Sequence, residues 1–472
     1  MSGLLPRRDP ITFDTQTVRH QRIPVRPHAQ GAATPLRLRH SAGALTDGAG
    51  LLLQRQLWDR LQLGARLDQY VDQHAPAVGG RYRPSTMVET WLALLLYGGS
   101  AMDDLAHLEA RGVARLFGWT RVPDATTFGR WLRRGGTAMA DALDQLTWYL
   151  VRARWAAVGT PAAVTLLLDS TVVQRYGTQQ AGAVPGYNPV RHGRPSHHPL
   201  LAFTDTGDCL GVQWRPGDAH TAEGAAAWIR TLVGRLRQAK VAHITVRLDK
   251  GFFSRAMVET LTALGVDFVL KVPDHPYVRR ALAPWRQSAK DPRYWTSTGT
   301  LYDAHLASVE RRDPAPAEDG ARPQTALALA TATHTHVAHV LTNRTDRHAL
   351  TTWRTYNAGT LVEQRIKELY QLGFGATAVD DLGGNALLAA LTTLAYQVLH
   401  VLRTTALTGG WRRAQPARLR AWVLRVPAVQ TTHARKRYVQ LRRDEPLRQR
   451  LLAALRTLGA LPPPRTRLLA LA

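Results

Sequence analysis

Three carboxylates are best placed in this chain to do chemistry. Asp169 ends the apolar run Val164-Thr165-Leu166-Leu167-Leu168, Asp249 ends Ile244-Thr245-Val246-Arg247-Leu248, and Glu363 lies in the helical stretch Thr360 to Leu372. Runs rich in Val, Ile, Leu and Thr are strand-like, and each stops at an acid followed by turn formers, Ser170-Thr171 and Lys250-Gly251. Either aspartate alone is explained as a solvated strand end, of which any α/β protein has several. In a chain that is otherwise strongly basic, the three together point to metal-dependent chemistry on DNA.

The charge balance supports that partner. Lys and Arg total 61 against 35 Asp and Glu, a formal net charge of +26, and such a field attracts polyanions. Nearly all of it is Arg, Lys standing only at 240, 250, 271, 290, 367 and 436. A GC-rich genome explains Arg in place of Lys but not the excess of base over acid.

The elements that must position the acids can be read from periodicity. Residues 1–45 are Arg-, Pro- and His-rich without a period and read as a basic arm. Residues 46–155 show apolar positions at helical intervals, Leu51, Leu52, Leu57, Trp58 and Leu61, then Met87, Val88, Trp91, Leu92, Leu95 and Leu96. Within them Asp124 is placed to cap a helix that buries Phe128 and Leu132 and exposes Arg130 and Arg133, a candidate recognition helix. Residues 156–272 alternate strands with a helix over Thr221 to Ala239, then a second near Ser254 to Leu264. Residues 273–344 read as a β-rich insertion whose Trp285 and Trp295 either form its small core or offer a platform for an unpaired base. Residues 345–405 carry Glu363, and 406–472 form a basic module in which Arg pairs interleave with Trp422, Val423 and Val439. The apolar stretch Ala386 to Leu402 includes Thr392, Thr393, Gln397 and His400, so a buried helix is expected there and no membrane partner.

Other chemistries lack their signatures. Cys209 is the only cysteine, so there is neither a disulfide framework nor a Cys-based zinc site, which fits a reducing cytoplasm. No cleavable signal is visible, Arg7-Arg8 being followed by polar residues. His197-His198 and His334-Thr335-His336 lack the H-E-x-x-H context of a zinc hydrolase, and neither a G-x-x-x-x-G-K-[ST] cradle nor a G-x-S-x-G elbow is present.

Ordered motifs add a resemblance. Asp169-Ser170-Thr171-Val172-Val173, Gly186-Tyr187-Asn188-Pro189, Gly193 through Leu200, Arg215-Pro216-Gly217-Asp218-Ala219-His220, Arg247 through Phe253, and Tyr356 through Leu369 follow one another. In that order they resemble the DDE transposases of bacterial insertion sequences, above all the thirteen-eighty group related to IS-four-type enzymes. The resemblance runs from about His40 to Leu458. It implies an α/β, RNase H-like catalytic core with a β-rich insertion, an N-terminal helical DNA-binding domain and a basic C-terminal module. It also implies Asp169, Asp249 and Glu363 as ligands of two Mg²⁺ ions, replaceable by Mn²⁺, acting on the inverted repeats of the element and on target DNA. A homodimer at synapsis and a bacterial, nucleoid-associated location follow by the same analogy. Arg191, Arg194, His197, Lys250, Tyr356, Arg365 and Lys367 become DNA contacts beside Arg130 and Arg133.

The chain departs from the family at two places. Related enzymes carry Y-x2-R-x3-E-x6-K; with Glu363 as the acid, Tyr356 falls in place, but Gly359 and Tyr370 stand at the arginine and lysine. Arg365, Lys367 or Lys250 are the candidates to compensate. The alternatives are an impaired or domesticated DNA-binding derivative and a nuclease of the same fold without strand joining.

Overall fold

The computed structural model describes residues 44–464 apart from 79, 178, 187, 189–190, 312–335, 358–360, 435 and 443–446. The expected arm up to residue 43, the β-like run Thr325 to Ala330, and Gly359 therefore lie outside the described residues.

The helical period of the N-terminal region is realised in full. A short strand, β1 (Ala44–Thr46), leads into helices Leu52–Arg60, Leu63–His74 and Pro84–Tyr97, two shorter ones, and the long helix Ala125–Val158. Asp124 caps this last helix, its Oδ1 accepting from the Thr127 amide at 2.7 Å. Phe128, Trp131 and Leu132 face inward, whereas Arg130 and Arg133 are exposed. The helix breaks direction at Gly136, where φ is 46° and ψ −139°, a conformation open to glycine.

Beyond it the apolar runs pair into a nine-stranded sheet. β2 (Ala163–Ser170) lies between β6 (Leu200–Thr204), antiparallel to it and continued by β7 (Cys209–Gln213), and β8 (His243–Leu248), parallel to it and followed by parallel β9 (Asp267–Val272). Helices Ala225–Gln238 and Arg255–Ala263 connect the parallel strands, as crossovers between parallel neighbours require. Strand alternation sorts the side chains. Leu166, Leu168, Val246, Leu248 and Leu270 share one core with Trp228, Ile229 and Leu232 of the first connecting helix. Leu167, Leu201 and Phe203 point the other way, into a core with helices Leu361–Gln371 and Leu382–Val401. The latter is apolar and long enough to cross a membrane, but 94% of its most apolar window is buried inside the protein, which is the buried helix expected.

Between β2 and β6 lies a small sheet of β3 (Val173–Gln174), β4 (Val184–Pro185) and β5 (Pro195–His197) in the order β3-β5-β4. Here the motif glycines are structural: a Cβ on Gly186 would lie 1.9 Å from the Gly217 carbonyl oxygen, so the two loops touch backbone to backbone.

The β-rich region after β9 joins the main sheet: β10 (Arg286–Gln287), β11 (Tyr294–Leu301), β12 (Ala304–Arg311) and β13 (His336–Thr342) extend it, with β13 pairing antiparallel to β9. The C-terminal region packs on the N-terminal one. β14 (Ala428–His433) pairs with both β1 and β15 (Lys436–Leu441). Leu451, Leu455 and Leu458 of helix Arg448–Gly459 also share a core with Leu53 and Leu57 from the N-terminal helices. N- and C-terminal segments thus pack together, which composition hides because the partners are far apart in sequence, 401 residues in the case of the Arg60–Leu461 hydrogen bond.

Candidate active site at the ends of three parallel strands

Alternation on β2, β8 and β9 decides which side chains meet. Leu167 faces the second core, so Asp169 does too. On β8, Arg247 and Asp249 take that side, since Val246 and Leu248 face the other. On β9, Val269 and Lys271 follow, since Leu270 and Val272 face away. Four charged positions of three adjacent strands, Asp169, Arg247, Asp249 and Lys271, are thereby directed to one end and one face, where helices Ala349–Asn357 and Leu361–Gln371 pack on the strands.

Asp169 is half-buried and accepts from the Ser170 amide at 2.8 Å. Burial pushes its carboxyl up to about 7, with the charges of Asp249 and Glu363 adding to the rise and Arg247 opposing it. Asp249 is exposed; its Oδ1 accepts from the Tyr356 hydroxyl at 3.0 Å and lies 4.0 Å from Lys271 Nζ. The Tyr356 ring carries the Arg247 guanidinium at 4.5 Å and Lys271 Nζ at 5.8 Å, and its hydroxyl is pushed up by burial and then by Asp249. Glu363 is exposed in the first turn of its helix. Among the described residues no group of three or more His, Cys, Asp or Glu is closed tightly enough to grip an ion. The donor set is nevertheless all carboxylate oxygen, the chemistry that suits a hard divalent cation, and Asp169, whose hydrogen bond comes from the Ser170 amide, faces like charges. Those features fit such an ion.

The flanking groups divide clearly. Arg191, Arg194, Lys250 and Lys367 are exposed, Arg194 standing 6.0 Å over the exposed Tyr176 ring. Arg130 is exposed as well, and Arg133 pairs with Asp380 at 2.8 Å. Three expected DNA contacts are turned inward instead. His197 is fully buried, its Nε2 3.1 Å from the Ala181 carbonyl and its ring against Trp214. Tyr356 is buried and committed to Asp249. Arg365 is half-buried and donates to the buried Glu368 at 3.0 Å, which also binds Arg403 at 2.8 Å. Trp285 and Trp295 are half-buried, Trp285 just before β10 and Trp295 in β11, where it stands opposite Gln287 and Glu310. Tyr370 reaches Thr171 Oγ1 at 3.3 Å and the Val172 carbonyl at 3.4 Å, so the lysine position holds a hydroxyl beside the loop after Asp169.

Sequence reasoning missed Arg247 and Lys271. The signal was there: each is the lone cation in an apolar strand, on the face opposite that strand's buried leucines. His198 was read only as a loop residue, yet its Nε2 lies 3.0 Å from Ser170 Oγ and its Nδ1 2.8 Å from the Ala219 carbonyl, tying the strand end to the Arg215–His220 loop. His220 holds its own turn, its Nδ1 accepting from the Ala222 amide at 3.2 Å.

Residues 28–463 match the family described as transposase DDE domain group 1. No curated protein matches the sequence. The cryo-EM structure of a piggyBac transposase synaptic complex with hairpin DNA is similar at a TM-score of 0.40 and 12% identity, over 80% of this chain and 80% of that one. That likeness is too loose to carry an argument.

Proposed function

The chain belongs to the transposase DDE domain group 1 family, and on that premise we propose that it cuts the ends of its own insertion sequence and joins the freed 3′ ends to target DNA. The observation that supports this reading is geometric: Asp169 and Asp249 end adjacent parallel strands, and the helix that carries Glu363 packs on the first of them. The strand order β7-β6-β2-β8-β9, with β6 antiparallel and β8 and β9 parallel to β2, supports an RNase H-like core.

Asp169, Asp249 and Glu363 would hold two Mg²⁺ ions, or Mn²⁺ in their place. When bound, these supply Lewis-acid activation of the attacking oxygen and stabilisation of the leaving one. In the first step a water oxygen forms a bond to phosphorus and the bond to the 3′ oxygen breaks, leaving a 3′ hydroxyl and a 5′ phosphate. In the second, that hydroxyl attacks a target phosphorus and a target 3′ hydroxyl departs. The protein positions Asp249 through Tyr356 and Asp169 through the Ser170 amide. Arg191, Arg194, Lys250, Lys367, Arg130 and Arg133 are exposed cations for DNA phosphates. Membership of the thirteen-eighty group, a bacterial nucleoid-associated setting and a dimer at synapsis belong to the same proposal.

One observation favours a second reading, a derivative that binds DNA without cutting it: a tyrosine hydroxyl occupies the place of the signature lysine. Purified protein mixed with duplex DNA from the flanks of its gene distinguishes the two. Cleavage in Mg²⁺ or Mn²⁺ that Asp169→Asn abolishes while binding persists is the expected outcome; cleavage that survives the substitution refutes the assignment, and binding without any cleavage by the unsubstituted protein selects the second reading.

A further inference from the structure

We infer that Lys271, at the end of β9, is the cation that grips a DNA phosphate at the carboxylate cluster. The inference rests on the reading above and adds the strand-contacting residue that the signature positions do not supply.

The geometry carries it. Lys271 stands on the third of three parallel strands, one residue beyond the Leu248–Leu270 pair, beside Asp249 on the acid-bearing face. Its side chain keeps 40% exposure, so the ammonium reaches solvent at the site. Its two contacts there are long, 4.0 Å to Asp249 Oδ1 and 5.8 Å to the Tyr356 ring centre. Hydrogen bonds from an ammonium to a carboxylate close to about 2.8 Å when they form fully, so the ammonium is held near the acids by charge and is not locked to them. Tyr356 is locked, its hydroxyl on Asp249 at 3.0 Å. Its ring therefore acts as a fixed pillar against which the lysine stem and Arg247 rest. A flexible, half-exposed ammonium beside carboxylates that must admit a phosphodiester can turn from Asp249 to a phosphate oxygen without breaking a close bond. Lys367 and Lys250 are exposed nearby in sequence to the acids, but among the described residues no ion pair ties either to the carboxylates, whereas Lys271 is already in ionic reach of one.

The test uses the full chain and a duplex from the flank of its gene, in EDTA, so that binding is read without cleavage. Lys271→Gln should weaken binding about tenfold and lower the slope of log affinity against log salt by about one counterion, while Lys271→Arg restores most of both. Duplexes with one neutral methylphosphonate at successive positions locate the contact. At a single position near the cut, the substitution should weaken binding by the unsubstituted protein but not by Lys271→Gln. Equal binding and slope for Lys271→Gln, or losses that multiply at every methylphosphonate position, overturn the inference and leave Lys271 a counter-ion of Asp249. A thermal melt of Lys271→Gln within a degree or two of the parent keeps misfolding out of the comparison, and rescue by Arg decides the matter where it is not. The two readings fail separately: intact cleavage in Asp169→Asn removes the catalytic assignment whatever Lys271 does, and normal DNA binding by Lys271→Gln removes only the phosphate contact.

Discussion

Two aspartates on the same sheet sit in opposite electrostatic states. Asp208, just before β7, is fully buried and saturated: Arg154 grips both its oxygens, with Nε at 2.6 Å, Trp155 Nε1 and Thr206 Oγ1 each donate at 3.0 Å, and Gln397 Nε2 donates at 3.0 Å. Burial works against its charge, but His400, Arg154 and Gln397 outweigh it and hold the carboxyl at about 2. Asp169, across the sheet at the end of β2, has one amide donor, two like charges and a carboxyl raised to about 7. A fully satisfied acid welds elements together, here β7 to helices Ala125–Val158 and Leu382–Val401. An acid left short of donors stores unfavourable charge that a cation can relieve.

The largest expected contrast comes from neutralising each. Asp208→Asn strands a buried guanidinium and should destabilise the fold by about 3–5 kcal/mol, visible as a lowered urea midpoint. Asp169→Asn should leave the midpoint unchanged or raised, because it removes repulsion, while cleavage disappears. A loss of stability for Asp169→Asn as large as for Asp208→Asn would make the acid cluster a structural network and erase the distinction.

Next in size is the pH response. An unfolded aspartate ionises near 3.8. With its folded value near 7, Asp169 holds an extra proton in the native state between those pH values, so its contribution to stability declines as pH rises from about 4 to about 7. With its folded value near 2, Asp208 contributes stability that is complete above about 4 and is lost as pH falls through about 2. Denaturant midpoints measured across pH should therefore show a decline between pH 4 and 7 that Asp169→Asn flattens. An unchanged profile in that variant means that the Asp169 proton is not where burial and its neighbours place it.

A smaller effect tests the relief of stored charge directly. Millimolar Mg²⁺ or Mn²⁺ should raise the melting temperature by an amount on the order of 2 °C, and Asp169→Asn should abolish the rise while Asp208 stays untouched by the ion. A rise that survives Asp169→Asn places the cation elsewhere.

How much of this was legible beforehand depends on the range of the interaction. Strand ends at Asp169 and Asp249, the Asp124 cap and the buried helix through Leu399 follow from local pattern. The hairpin of β11 and β12 did not, because its two-residue turn is Tyr302-Asp303, both at positive φ (52° and 59°), where Asn-Gly is the readable signal. The union of β1 with β14 escaped for a different reason, since pairing across almost the whole chain leaves no local trace. The burial of His197 escaped because polarity suggests exposure; only tertiary packing sets its ring against Trp214.

The smallest expected effect concerns Tyr370, which lies between the two kinds of centre. It shares a helix with Glu363, reaches the loop after Asp169 through contacts of 3.3 and 3.4 Å, and packs edge-on to Phe374 at 5.6 Å. Those hydrogen bonds are long and the side chain is 41% exposed, so Tyr370→Phe should change stability by no more than about 0.5 kcal/mol and leave cleavage within about twofold of the parent. The ring contact with Phe374, which phenylalanine keeps, then does the positioning. A tenfold loss of cleavage at unchanged stability would instead assign the hydroxyl to the reacting end of the sheet, as the chain's own substitute for the cation that stands at this position in related enzymes.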